Sequence, residues 1–178
     1  GLTGSKSVFA HCVHLEDEEW DCMHQTDSAI AFCPTSNLFL GSGLFPLKKT
    51  WDKGVKVGLG TDIGAGTSFN QLQTLNEAYK VQQLQGEKLS AFEALYHATL
   101  GGAKALSLDD RLGNFNIGKE ADFVVLNLNA TALQQLRQSR AKNIEDAFFA
   151  LTMLGDDRNI AATYVYGAAV YVKAAASE

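Results

Sequence analysis

No apolar run in this sequence comes near the roughly 20 residues that a membrane-spanning helix requires. The N-terminus lacks the basic-then-apolar layout of a secretory leader. Cysteine is scarce: Cys12, Cys22 and Cys33 cannot all pair within one chain, and their spacings fit no zinc finger. They read as reduced, structural thiols, so the expected location is cytoplasmic. Basic charge is also short. The 15 Lys and Arg against 20 Asp and Glu leave a net charge of −5, which argues against nucleic acid as the main partner. The short basic stretches, Lys48-Lys49 and Arg137 to Lys142, read as solvated helix faces. No low-complexity segment interrupts the chain.

What remains is an ordinary globular composition, 46% apolar and 20% charged over 178 residues, enough for a sizeable core. The first part alternates strands with helices. Ser7 to Cys12, Ala29 to Cys33 and Val55 to Gly60 read as buried strands, the second ended by Pro34. Glu16 to Gln25 reads as a helix with an acidic first turn, and Leu44 to Lys53 as a short helix stopped by Gly54. Ser68 with Gln71 and Ser90 with Glu93 have capping-box spacing. Leu72, Leu75 and Tyr79 follow the first box at helical spacing, with Gly86 as the stop. Phe92, Leu95, Tyr96, Thr99, Leu100, Ala103 and Leu106 follow the second as one apolar stripe. This rhythm is that of parallel βα units, either a barrel or a doubly wound sheet.

After Leu106 the pattern changes. Turn residues lead into a strand ending at Leu126, Asn143 to Leu154 reads as an amphipathic helix, and Thr163 to Val172 reads as a hairpin about Gly167. The expectation is a βα part over residues 1–112 and an antiparallel β part over 113–178, with the Ala174 to Ala176 tail frayed.

Two residues carry the candidate chemistry. His11 ends the first strand and Asp62 directly follows the third. Catalytic side chains of a βα barrel come from the C-terminal ends of several strands, and imidazole and carboxylate are ligand types of catalytic zinc. Taken singly, His11 could be a satisfied core histidine and Asp62 a helix N-cap. The matched positions in two βα units favour a shared site. His14 lies three residues beyond His11 and joins it only if the strand has already ended. His24 and His97 fall on helices and read as surface or boundary residues. The glycines from Gly58 to Gly66 miss the dinucleotide fingerprint, because Ile63 stands where a third glycine is needed, and no Gly-Lys-Ser/Thr follows. A tight loop around a pocket is the preferred reading, a plain βα loop the other. Cys33-Pro34 is not the Pro-Cys-x-x-Cys of the cytidine-type zinc deaminases.

Phe9-Ala10-His11-Cys12, Phe32-Cys33-Pro34-Thr35-Ser36-Asn37-Leu38 and Val57-Gly58-Leu59-Gly60-Thr61-Asp62 resemble, in order, three consecutive strand ends of the amidohydrolase superfamily. Gly113 to Val125 resembles the segment by which that superfamily returns to its β-sandwich. Within the superfamily, Thr99-Leu100-Gly101-Gly102-Ala103 and Leu154 to Asn159 look most like the guanine deaminases. The resemblance implies an α/β fold, the C-terminal part of a distorted (β/α)8 TIM barrel with strands six to eight, followed by the C-terminal part of a small β-sandwich. It implies Asp62 as a zinc ligand that also takes a proton from the attacking water. It places His11 beside the metal, orienting or polarising the attacked ring. Both thereby become catalytic and substrate-contacting. Ser36 and Asn37 border the pocket without an assigned role. Phe32 stands where family members often carry His, and no effect is expected from that change.

The implied activity is zinc-dependent hydrolysis of guanine to xanthine and ammonia; iron would suit the same donors. The family's His-x-His pair, its next histidine ligand and the glutamate three residues beyond that are missing here. A whole barrel takes about 250 residues, so this chain is expected to carry about three of eight units. Alone it is expected to bind metal weakly, to be inactive and to self-associate or exchange strands through open sheet edges; the complete enzyme is expected to be a homo-oligomer. Other readings are a chloro-s-triazine, cytosine or adenosine-type amidohydrolase, a non-catalytic βα assembly module, or a nucleotide-binding α/β domain.

Overall fold

The structure, a computed structural model, describes residues 1–174; Ala175 and Ala176 of the expected frayed tail lie outside the described residues. Strands β1 (Val8–Ala10), β2 (Ala29–Phe32) and β3 (Lys56–Leu59) form a parallel sheet in that order. Ala10 pairs with Ala31 and Ala31 with Gly58, so the three C-terminal ends share one rim. Each strand stops short of its apolar run. His11 and Cys12 take φ of 69° and 49°, which no strand continues. Pro34 begins a helix rather than a loop, because its fixed φ and missing N–H suit the first helical position.

Helix α1 (Asp17–Gln25) starts at Glu16, which forms a capping box with Glu19. Helix α2 (Pro34–Leu40) was not expected; α3 (Leu47–Lys53) ends at Gly54 with φ 65°, as its glycine stop requires. Helix α4 (Gln71–Leu84) corrects one expectation. Its cap is Asn70, whose side chain accepts from the Leu72 N–H at 2.9 Å, and the Ser68–Gln71 box does not form. Ser68 instead accepts from the Asn70 N–H at 3.0 Å, and the Gln71 amide donates to the Leu59 carbonyl at 3.2 Å, tying α4 to the end of β3. The Ser90–Glu93 box does cap α5 (Ala91–Ala98). The single apolar stripe is a second correction. The chain breaks at Thr99 (φ −128°, ψ −97°) before α6 (Leu100–Ala105), and Phe92 and Leu106 are exposed.

The break has a packing cause. Helix α6 lies directly on β3, and a β-carbon on Gly58 would stand 2.7 Å from the Gly102 Cα. A β-carbon on Gly101 would meet the carbonyl oxygens of Tyr96 at 2.9 Å and Val57 at 3.1 Å. Glycine at positions 58 and 101 permits a backbone approach that a β-carbon at either would prevent. His97 is a third correction: it is 2% exposed, and its Nδ1–H donates to the Val57 carbonyl at 3.3 Å. Trp20, Ile30, Phe32, Phe45, Leu75, Val81 and Leu151 centre the core, with Phe32 stacked on Phe45 at 4.7 Å.

Strands β4 (Phe123–Leu126), β5 (Ile160–Val165) and β6 (Ala168–Val172) form an antiparallel sheet, as the hairpin reading expects. Tyr166 and Gly167 (φ 55° and 76°) make its two-residue turn. Between β4 and β5 run α7 (Ala132–Gln138), unforeseen, and α8 (Ile144–Leu154), capped by Asn143. The Asn76 amide of α4 donates to the Met153 carbonyl at 3.0 Å, locking α8 against the parallel unit.

Asn159 organises this second region. It is 0% exposed, and its amide donates to the Asn127 carbonyl at 2.6 Å and the Gln134 side chain at 2.9 Å. Its oxygen accepts from Gln134 at 3.0 Å and from the Asp156 N–H at 3.0 Å. The Leu154 to Asn159 motif therefore ties the ends of β4, α7 and α8 together.

Candidate active site at the sheet rim

Parallel pairing alone brings three loops to the rim: the turn after β1, the start of α2 and the loop after β3. The first delivers His11 and the third Asp62, with His11 Nε2 standing 3.6 Å from Asp62 Oδ2. Both are partly exposed, with side-chain accessibilities of 39% and 34%. His11 is also hydrogen-bonded through Nδ1 to Asn37 Oδ1 at 2.7 Å. Asn37 is 1% exposed, in the first turn of α2.

The backbone pays for this convergence. His11, Cys12 and Asp62 (φ 48°) are all left-handed without being glycine. Such residues cost on the order of 1–3 kcal/mol each and gather where side-chain direction matters. The His11 N–H still donates to the Ala31 carbonyl at 3.0 Å, so the strand ladder runs up to the point where the chain turns. After Asp62 the loop closes tightly, with the Ala65 N–H reaching the Asp62 carbonyl at 3.2 Å. A β-carbon on Gly66 would fall 1.9 Å from the Thr61 carbonyl oxygen, so glycine is obligatory there. The tight loop expected of the glycine stretch is thus present.

Cys33 lies beneath the pair, 3% exposed. Burial, and then the Asp62 charge, push its thiol up to about 11; burial, and then Glu19, push Cys12 to about 11. Neither offers thiolate near neutral pH. His14 donates to the Ser42 carbonyl at 2.8 Å and His24 to the Gly54 carbonyl at 3.2 Å, so neither joins the pair. Among the described residues, no three or more His, Cys, Asp or Glu converge on one point. The fit to a metal is therefore that of one edge of a site: the Asp62 carboxylate is a donor zinc accepts, with the His11 imidazole beside it at 3.6 Å. A groove of about 440 Å³ lined by Leu47, Trp51, Gln82 and Leu89 contains none of these rim residues. The hydrogen bond of Asn37 to His11 is the contact sequence reasoning missed; Pro34 at the head of a helix was its one available signal.

The model of the amidohydrolase family matches residues 1–170. A guanine deaminase of Escherichia coli is 67% identical over 171 residues, covering 96% of this chain and 39% of that protein. An E. coli guanine deaminase structure superposes with a TM-score of 0.96 at 66% identity, over 98% of this chain and 41% of that one. The guanine deaminase of C. acetobutylicum with bound guanine gives 0.83 at 32% identity, over 96% and 41%. An adenosine deaminase of Xanthomonas campestris with bound zinc gives 0.82 at 25%, over 97% and 38%. The chain thus spans about two fifths of the length of the relatives it matches.

Proposed function

The chain belongs to the amidohydrolase family, and from that premise we propose that it is the active-site-bearing C-terminal part of a zinc-dependent guanine deaminase. In this reading residues 1–112 are strands six to eight of a (β/α)8 barrel with their helices. Residues 113–178 are the end of a small β-sandwich, with α8 docked across the two. The protein acts on guanine, in the cytoplasm, as a homo-oligomer.

The reaction exchanges the exocyclic amino group for oxygen. Water oxygen bonds to the ring carbon that bears the group and one water proton reaches the ring nitrogen; the second water proton passes to the amino nitrogen, the C–N bond breaks, and ammonia leaves as the new carbonyl forms. Asp62 would hold the metal, and zinc when bound supplies a water acidified toward a pKa of about 7. Iron suits the same donor. The Asp62 carboxylate accepts a proton from the attacking water. His11 Nε2, facing the same gap, orients the reacting partners at that edge. The remaining metal ligands and the glutamate that carries the proton to the leaving ammonia are assigned to sequence outside these 178 residues.

The observation that carries the reading is the 3.6 Å approach of His11 to Asp62 at a shared rim. The bound guanine and bound zinc named for two relatives support the choice of substrate and metal. The test joins this chain to the part of the E. coli guanine deaminase that it does not match. The hybrid is assayed on guanine, cytosine, adenosine and a chloro-s-triazine. Xanthine from guanine, with the other three turned over poorly, is expected. Preferential turnover of another substrate by a folded hybrid would overturn the assignment.

A further inference from the structure

Resting on the reading of His11 as an active-site residue, we propose that Asn37 is its positioning residue. Asn37 fixes the imidazole as the tautomer protonated on Nδ1 and so keeps the Nε2 lone pair turned toward Asp62. The chemistry of the contact leads there. Asn37 Oδ1 lies 2.7 Å from His11 Nδ1, and a carbonyl oxygen can only accept, so the ring nitrogen is the donor. A neutral imidazole carries one N–H. Nε2 is then left with a lone pair, 3.6 Å from Asp62 Oδ2. Two acceptors face one another across a gap that suits a cation or a donor. A proton on Nε2 would instead draw the carboxylate in to ordinary hydrogen-bond length, about 2.7–3.2 Å.

Asn37 is built to hold still. Its N–H donates to the Cys33 carbonyl at 3.0 Å and its own carbonyl accepts from the Ser42 N–H at 2.9 Å, so the backbone is pinned on both sides. The side chain is buried, and its Nδ2 has no hydrogen-bond partner among the described residues. The bond to His11 is thus the only one the amide makes there. An amide turned over would present Nδ2–H to the ring and select the opposite tautomer, so the proposal has a definite sign.

Nuclear magnetic resonance of isotope-labelled histidine nitrogens in this chain reads the tautomer directly, at mildly alkaline pH where imidazole is neutral. His11 is assigned by its loss in His11→Gln. The expected result is a protonated Nδ1 at His11, shifting toward protonated Nε2 in Asn37→Leu and staying on Nδ1 in Asn37→Asp. A protonated Nε2 in the unmutated chain overturns the proposal, whatever reaction the protein catalyses. In the hybrid with the E. coli relative, Asn37→Leu is expected to lower kcat roughly 10–100-fold, the range for groups that orient active-site ligands. KM should stay within about threefold, and Asn37→Asp should recover most of the loss. A folded Asn37→Leu hybrid with unchanged kcat overturns the proposal while leaving the deaminase reading intact.

Discussion

Gly58 of β3 and Gly102 of α6 meet backbone to backbone: a β-carbon on Gly58 would lie 2.7 Å from the Gly102 Cα. The contact is asymmetric, since a β-carbon on Gly102 would meet only the His97 carbonyl oxygen, at an ordinary 3.5 Å. Gly58→Ala should therefore force α6 off the sheet and destabilise the chain by about 1–3 kcal/mol, the usual cost of overpacking. Gly102→Ala should be neutral or stabilise by up to about 1 kcal/mol, because it removes a glycine from a helix. Urea titrations of both variants check the sign difference.

His97 makes stability depend on pH. Burial holds its pKa below the ordinary 6.5, against the lesser opposing effects of the Val57 carbonyl and Glu93. Above 6.5 the ring is neutral in both folded and unfolded chains and contributes no slope. As pH falls below 6.5 the unfolded chain takes up the proton first, so stability declines until the depressed folded pKa is passed. Urea midpoints measured stepwise from neutral to acidic pH should fall through that window. In His97→Leu the part of the slope owed to this residue should vanish.

The Asn159 network should behave as a unit. Asn159→Leu leaves Gln134 buried at 3% exposure without its side-chain partner and removes the bond to the Asn127 carbonyl. A loss of about 1–3 kcal/mol is expected. Gln134→Leu on top of it should add less than it costs alone, because the shared bonds are already gone. A double-mutant cycle by thermal unfolding measures the coupling.

Much of this was legible beforehand, for reasons that also explain the failures. Apolar strands and capping residues are local signals, so β1 to β3, the Ser90–Glu93 cap and the Tyr166-Gly167 turn followed from neighbours in sequence. The pairing of His11 with Asp62 followed because parallel strands place equivalent ends on one rim. The burial of His97 is not legible in sequence because its partner, the Val57 carbonyl, lies 40 residues away, and no periodicity announces a distant acceptor. The break at Thr99 was hidden by an apolar stripe that continued across it. Pro34 signals a strand's end and a helix's beginning equally well, because both tolerate its missing N–H. The role of Asn37 depends on a contact 26 residues distant, which only the fold creates.

Both sheets end in edges that can recruit other strands. Val8 of β1 is 38% exposed, and every residue of β6 is exposed, Val170 at 62%. The isolated chain should associate in a concentration-dependent way, visible by sedimentation velocity. Val170→Lys should weaken that association by charging the edge.

The proposed role of Asp62, holding with His11 beside it the zinc that serves guanine deamination, has a direct test. Zinc content and xanthine formation, measured together on the hybrid enzyme with and without Asp62→Asn, test it most directly. Bound zinc should drop well below one per chain, and kcat should fall by at least the 10²–10⁴-fold that a proton-transfer group typically contributes. Full zinc occupancy and undiminished xanthine formation in the folded Asp62→Asn hybrid would contradict the account.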